Sequence, residues 1–185
     1  MDHRAYRVVV SLVIGVGLAG LLGAAGCGKE IGDACSFSSD CSPNGDRVCI
    51  DQTPAGGDGY CTVAGCDFST CPGESVCVQF FTGNFANKPC DPDQDPPARP
   101  DPTIECTPDT NCCSFDEVCA LAGYCVPTSS EIRFCMRSCS SDGDCRDGYE
   151  CRDLDKMIEH GGQPVLEPGA KLDENVPRFC AKTPS

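Results

Sequence analysis

Apolar residues are distributed along this chain in two different ways. From Val8 to Ala25 they form one run broken only by Ser11 and several glycines, whereas beyond Gly26 they recur in short pieces among polar, glycine and proline residues. Runs of β-branched and aromatic residues predict short strands at Val76–Phe81, Ile132–Met136 and Val176–Cys180. A single amphipathic stretch, Leu154 to His160, predicts one short helix, with Asp153 as its N-cap and Gly161 just past its end. The Gly-, Pro- and acid-rich stretch 161–175 has no period and reads as mobile loop.

Composition decides what holds such sparse elements together. The 185 residues include 19 cysteines, 20 glycines, 15 prolines and no tryptophan. Without residues 1–26, the remaining 159 hold every cysteine, about 12% of the total, while Leu, Ile, Val and Phe make up only about 16%. So few large apolar residues cannot offset an ordering cost of roughly 1–2 kcal/mol per residue without crosslinks. The expected fold is therefore small and disulfide-rich, with little regular secondary structure: short β-hairpins, long loops and one short helix near 154–160. A large enzyme-like core is excluded. The net charge of −14 opposes phosphate backbones, and no basic stripe offsets it, so nucleic acid is not an expected partner.

Residues 1–26 have the three parts of an export signal: a positive start (Arg4, Arg7), an apolar run, and the small residues Ala24-Ala25-Gly26 directly before Cys27. This ending resembles the lipobox of bacterial lipoproteins, with Ala24 where leucine is commonest. The resemblance implies cleavage after Gly26 and lipidation of Cys27, with the membrane as a partner through that lipid. Two or more acyl chains anchor a protein stably. Gly28 in place of Asp implies, by the same resemblance, an outer membrane or cell-surface destination, with the periplasmic face as the other option. Export leads to an oxidising space where disulfides persist.

With Cys27 lipidated, the bridge-forming set is Cys35, Cys41, Cys49, Cys61, Cys66, Cys71, Cys77, Cys90, Cys106, Cys112, Cys113, Cys119, Cys125, Cys135, Cys139, Cys145, Cys151 and Cys180. Eighteen is an even number, which suits full pairing. No C-x-x-C occurs, which removes thioredoxin-type redox motifs, zinc-ribbon knuckles and c-type haem attachment. Five residues between neighbouring cysteines is the recurrent spacing, and four segments align loosely: DCSPNGDRVCI at 40–50, TCPGESVCV at 70–78, CCSFDEVCA at 112–120 and DCRDGYECR at 144–152. Each turns through Gly or Asp and closes on residues suited to a short strand. The D-C-x(5)-C core resembles the N-terminal cysteine-rich region of the dickkopf family and whey acidic protein-like inhibitors. That likeness is of scaffold, and implies no binding residue. Cys112 and Cys113 are expected to have different partners, because adjacent Cα atoms lie about 3.8 Å apart and bridged ones ~4.4–6.8 Å apart.

The segment DPDQDPPARPDPTIE at 91–105 reads as an extended linker. The resulting division is a signal peptide at 1–26, a lipid-anchored tether at 27–34, a first domain at 35–90 with eight cysteines, the linker, and a second domain at 106–180 with ten. Even counts on both sides permit separately crosslinked domains. The first could divide into loops 35–61 and 66–90. In the second, five cysteines lie in 106–125 and five in 135–180, so a bridge is expected between those pieces.

Candidate chemistry is thin. Asp91, Asp93 and Asp95 alternate like a calcium loop, but Pro96 stands at the turn position, and a solvated linker is the preferred reading. Asp142, Asp144 and Asp147 suit turns as well as an ion. His160 has no partner cluster and reads as a surface side chain. No cofactor or metal site is implied, and no catalysis is expected. Phe80, Phe81 and Phe85 are the candidate contact patch, weighed against a role as the local core. The function expected is a lipid-anchored envelope or cell-surface module with a binding or structural role and an extracellular protein partner. The runner-up is a small protease inhibitor presenting an intercysteine loop, with Arg47 or Arg146 as bait.

Overall fold

A computed structural model describes residues 28–52, 57–83, 88–92, 113–168, 170, 173 and 175–184. Its regular elements are few and short: α1 (Ser38–Cys41), β1 (Val48–Gln52), β2 (Gly57–Thr62), β3 (Ser75–Phe81), β4 (Glu117–Ala120), β5 (Tyr124–Pro127), β6 (Glu131–Arg137), β7 (Tyr149–Arg152), α2 (Leu154–His160), β8 (Gln163–Pro164) and β9 (Phe179–Lys182). Three two-stranded sheets, β1–β2, β4–β5 and β7–β9, surround a central sheet of order β6-β3-β8.

The sixteen described cysteines form eight bridges, and these follow one rule applied four times. Taken in fours, the first cysteine pairs with the third and the second with the fourth. Module I has Cys35–Cys49 and Cys41–Cys61. Module II has Cys66–Cys77 and Cys71–Cys135. Module III has Cys90–Cys119 and Cys113–Cys125, and module IV has Cys139–Cys151 and Cys145–Cys180. In every module the third and fourth cysteines face each other across an antiparallel pair: Cys49↔Cys61, Cys77↔Cys135, Cys119↔Cys125 and Cys151↔Cys180. Two crossed bridges on one antiparallel strand pair tie both strands to the loop before them. The four aligned sequence segments run from second to third cysteine of each module, and their closing residues are β1, β3, β4 and β7.

The modules are nested rather than strung in series. Module III lies in the chain between β3 and β6, the two strands of module II, and α2 and β8 lie between the two strands of module IV. Cys71–Cys135 and Cys90–Cys119 therefore both cross 91–105, so the two sides of that segment are not separately crosslinked. Only the 35–61 loop closes on itself as expected. The bridge expected between 106–125 and 135–180 does not form: Cys135 reaches back to Cys71, the other four cysteines of 135–180 pair among themselves, and Cys119 reaches back to Cys90. Cys113 pairs with Cys125, not with its neighbour. Cys27, Cys106, Cys112, the export segment, Phe85 and 93–105 lie outside the described residues.

One apolar cluster joins modules I, II and IV: Ile31, Tyr60, Val78, Phe80, Phe134, Met136, Met157 and Phe179 are buried in it. β3 is covered on both faces, which is why Val78 and Gln79 are both buried in spite of the strand's alternation. Phe80 and Phe179 meet edge to face with ring centres 6.2 Å apart. Gly162 sits at φ +79°, and a Cβ there would lie 2.7 Å from the Phe80 ring, so glycine is required where α2 turns into β8.

Two further sequence expectations change. The 161–175 stretch is not all loop, because Gln163 and Pro164 pair with Gln79 and Val78 and are buried. Residues 28–34 are not a tether either. Ile31 is fully buried, Gly32 N–H donates to the Cys61 carbonyl at 2.9 Å, and Ala34 bridges to Tyr60.

Candidate functional site

The acidic residues around Cys145 act as local caps. Asp144 Oδ2 accepts from the backbone N–H groups of Ser140 at 2.8 Å and Ser141 at 2.9 Å. Asp142 Oδ1 accepts from Cys151 N–H at 2.8 Å and Lys156 Nζ at 2.9 Å. Module I repeats the device, with Asp40 Oδ2 accepting from Ser36 and Phe37 N–H at 2.8 and 3.0 Å. These backbone donors hold the Asp40 and Asp144 carboxyls below the ordinary range, and Lys156 does so first of all for Asp142. The sulfurs that crowd together, such as Cys35 beside Cys41 and Cys61, belong to the stacked bridges of one module. A disulfide sulfur carries no thiolate with which to bind a metal.

The two candidate bait arginines are built into the body. Arg146 lies over the Tyr149 ring with Cζ 4.1 Å from its centre, and donates to the Gly59 carbonyl at 2.8 Å. Tyr149 stacks on Tyr60 with ring centres 5.5 Å apart, so this sandwich joins modules IV and I. Burial pushes the Tyr60 hydroxyl above its usual range, and Tyr60 Oη accepts from Arg137 N–H at 2.9 Å. Arg47 donates to the Lys29 carbonyl and pairs with Glu74 at 3.4 Å.

His160 is not a free surface histidine. Its Nδ1 lies 2.7 Å from Glu150 Oε1, and Glu150 also receives Arg152 Nε at 3.0 Å. Arg152 is almost completely buried, and burial draws its pKa downward. Its remaining donors reach the carbonyls of His160, Gly161 and Lys182 at 2.8–2.9 Å. A guanidinium thus closes the C-terminal end of α2 where its carbonyls lack helical partners.

Phe80, in the proposed contact patch, is a core residue, 2% exposed. Phe81 is half-buried and packs on Val118, Ala120 and Val126 of module III. Both line a cleft of about 120 Å³ between module III and α2, together with Leu121, Met157 and Gln163. Gln163 Oε1 accepts from Leu121 N–H at 3.1 Å, while its Nε2 is buried with no hydrogen-bond partner among the described residues.

The exposed aromatic side chains lie elsewhere: Phe37 at 71%, Phe68 at 45% and Phe115 at 70%. Each is in a loop between two bridged cysteines, Cys35–Cys41, Cys66–Cys71 and Cys113–Cys119 respectively. Phe37 and Phe68 occupy the same place, two residues after the first cysteine of modules I and II. A signal was present in the sequence, since a phenylalanine flanked by Ser, Asp and Cys has no apolar neighbours to join in a core. No protein-family profile, curated protein or solved structure matches this chain.

Proposed function

We propose that the chain is an exported, lipid-anchored module of the cell envelope that presents rigid intercysteine loops to an extracellular protein partner, without catalysis. The observation that carries this reading is the exposure of large aromatic side chains on loops clamped by bridges at both ends. A pre-ordered loop binds at lower entropic cost than a free one, and exposed phenylalanines supply apolar anchors. Eight bridges suit an oxidising, exported setting, and no helix among the described residues is long and apolar enough to cross a membrane. Attachment then rests on lipid at Cys27, as the likeness to the lipobox implies.

Intact mass of the membrane-extracted protein, before and after reduction, tests the anchor and the bridges together. Lipid on Cys27 and a fully oxidised chain are expected; an unmodified chain beginning at Met1 overturns the anchoring. Cross-linking to purified envelope proteins tests binding, with F68S/F115S expected to lose the adducts while keeping its bridges. The inhibitor reading requires a bait other than Arg47 or Arg146, since both are engaged inside the fold. Stoichiometric inhibition in a panel of trypsin-like proteases would favour that reading.

A further inference from the structure

The body begins one residue after the proposed lipid. Gly28, although exposed, has one side against module I: a Cβ built on it would lie 2.7 Å from the Cys41 carbonyl oxygen and 3.7 Å from Ser42 Cα. Lys29 Nζ donates to the Ala34 carbonyl at 2.6 Å, and three positions after Gly28 the chain is already in the core at Ile31. Cys27 is covalently bound to Gly28, so its Cα is only about 3.8 Å from the Cα of a residue that abuts the Cys41 carbonyl. Only three residues lie between Cys27 and Ile31, and even fully extended the four steps span no more than about 14 Å. A lipid at Cys27 has no free tether on which the body could stand away from the bilayer.

Gly28 lies against the C-terminal end of α1, and the loop before α1 carries Phe37. Cys41, on which Gly28 rests, is the last residue of α1, and Phe37 is its N-cap, one helical turn (~5.4 Å) earlier. Phe37 is also the most exposed large apolar side chain among the described residues, at 71%. An aromatic ring beside a lipidated residue is placed where interfacial aromatic groups are stable, about 5–10 Å into the headgroup and acyl boundary. The neighbouring carboxylates of Glu30, Asp33, Asp40 and Asp46 do not favour an anionic surface.

We infer that module I lies directly on the lipid bilayer, with Phe37 in the interface as a second contact beside the Cys27 lipid. This rests on the lipid-anchored reading above. It leaves Phe68 and Phe115 for the protein partner. It also gives Gly28 a packing role, because a side chain there would push the attachment point off the Cys41 carbonyl.

The chain has no tryptophan, so F37W introduces a single indole, excited selectively over the four tyrosines, at an exposed position. The full-length F37W protein, extracted from membranes with its N-terminal modification, is reconstituted into phosphatidylcholine vesicles with or without brominated acyl chains. Intact mass and flotation with the vesicles are recorded first. The expected result is co-flotation, strong quenching of the F37W indole by the brominated lipid, and several-fold weaker quenching by iodide than in detergent-free aqueous buffer after lipid removal. Half-anionic vesicles are expected to give no increase in the brominated-lipid quenching. A lipidated protein that floats, but whose indole is untouched by brominated lipid and fully open to iodide, overturns the contact and leaves the anchor standing. A protein without lipid that stays at the bottom of the gradient overturns the anchored reading, and this inference with it.

Discussion

Cys71 is bridged to Cys135, 64 positions further along the chain, and Cys135 stands directly opposite Cys77 in the β3–β6 ladder. One strand pair and one bridge therefore close module II around module III, which lies wholly between β3 and β6 in sequence. Cys90–Cys119 crosses the same stretch of chain. Cutting the backbone at a protease site engineered between Asp95 and Pro96 should leave the two pieces covalently joined until reductant is added. Non-reducing electrophoresis checks this, and pieces that separate without reductant would contradict the nesting.

The loop closed by each bridge sets its expected weight. A 64-residue closure restricts the unfolded chain by about 4 kcal/mol in the chain-entropy account, against about 3 kcal/mol for the 14-residue closure Cys35–Cys49. The other bridges shorten the effective loop, so both figures are upper bounds. Replacing Cys71 and Cys135 with alanine should lower the denaturant midpoint more than replacing Cys35 and Cys49. Equal losses would mean that module III holds β3 and β6 together without the bridge.

Much of the local structure could be read from residue types, whereas the pairing could not. Val76–Phe81 and Ile132–Met136 are β-branched and aromatic, and they appear as Ser75–Phe81 and Glu131–Arg137. Asp153 caps α2 by accepting from Lys156 N–H at 3.1 Å, and Gly161 ends it, as that pattern of residues predicts. The predicted strand at Val176–Cys180 starts later, at Phe179, because its ladder is set by pairing with Arg152. Gln163-Pro164 gives no strand signal; its extended form comes from β3, where Val165 N–H donates to the Cys77 carbonyl at 2.8 Å. Ile31, a lone apolar residue among polar ones, gives no periodicity, and its burial depends on Tyr60 and module II. Among the described cysteines the C-x(5)-C recurrence joins neighbours that are not partners: first and second in Cys35–Cys41 and Cys139–Cys145, second and third in Cys71–Cys77, Cys113–Cys119 and Cys145–Cys151, and third and fourth in Cys119–Cys125. The crossed rule becomes visible only when strand register places the third cysteine opposite the fourth.

Arg146 illustrates how a residue suited to one role can serve another. Its guanidinium covers Tyr149 at 4.1 Å and donates to Gly59 of module I, a planar arrangement that an ammonium cannot reproduce. R146K should destabilise the protein by about 1–2 kcal/mol, lowering the thermal midpoint by several degrees, with all bridges intact by mass. An unchanged midpoint would show that Arg146 adds nothing to the tyrosine stack and the apolar cluster that join modules I and IV.

Arg152 carries a larger consequence. It is buried against Glu150 and three backbone carbonyls, so removing it leaves a buried carboxylate and unpaired acceptors together. Breaking one side of such a pair typically costs about 3–5 kcal/mol. R152M should lose about that much in urea denaturation and loosen α2, while R152M/E150L recovers part of the loss because no charge is then left uncompensated. A double variant as unstable as the single would place the whole effect in the carbonyls.

The capping aspartates give the protein a defined sensitivity to acid. Asp40 and Asp144 are held in the ionised form chiefly by backbone N–H donors, and Asp142 chiefly by Lys156. Each folded-state pKa lies below that of the unfolded chain, ~3.9 for aspartate, so the folded state binds fewer protons than the unfolded one in this window. Their contribution is complete above about pH 4 and is lost as pH falls through the depressed folded values. The thermal midpoint of the oxidised protein should therefore be nearly flat from pH 7 to pH 5 and fall steadily below about pH 4. The double variant D40A/D144A, which removes the equivalent caps of modules I and IV, should start lower at pH 6 and fall less on acidification. If it falls as steeply as the parent protein, the acid response comes from other carboxylates, and the two caps do not titrate with folding.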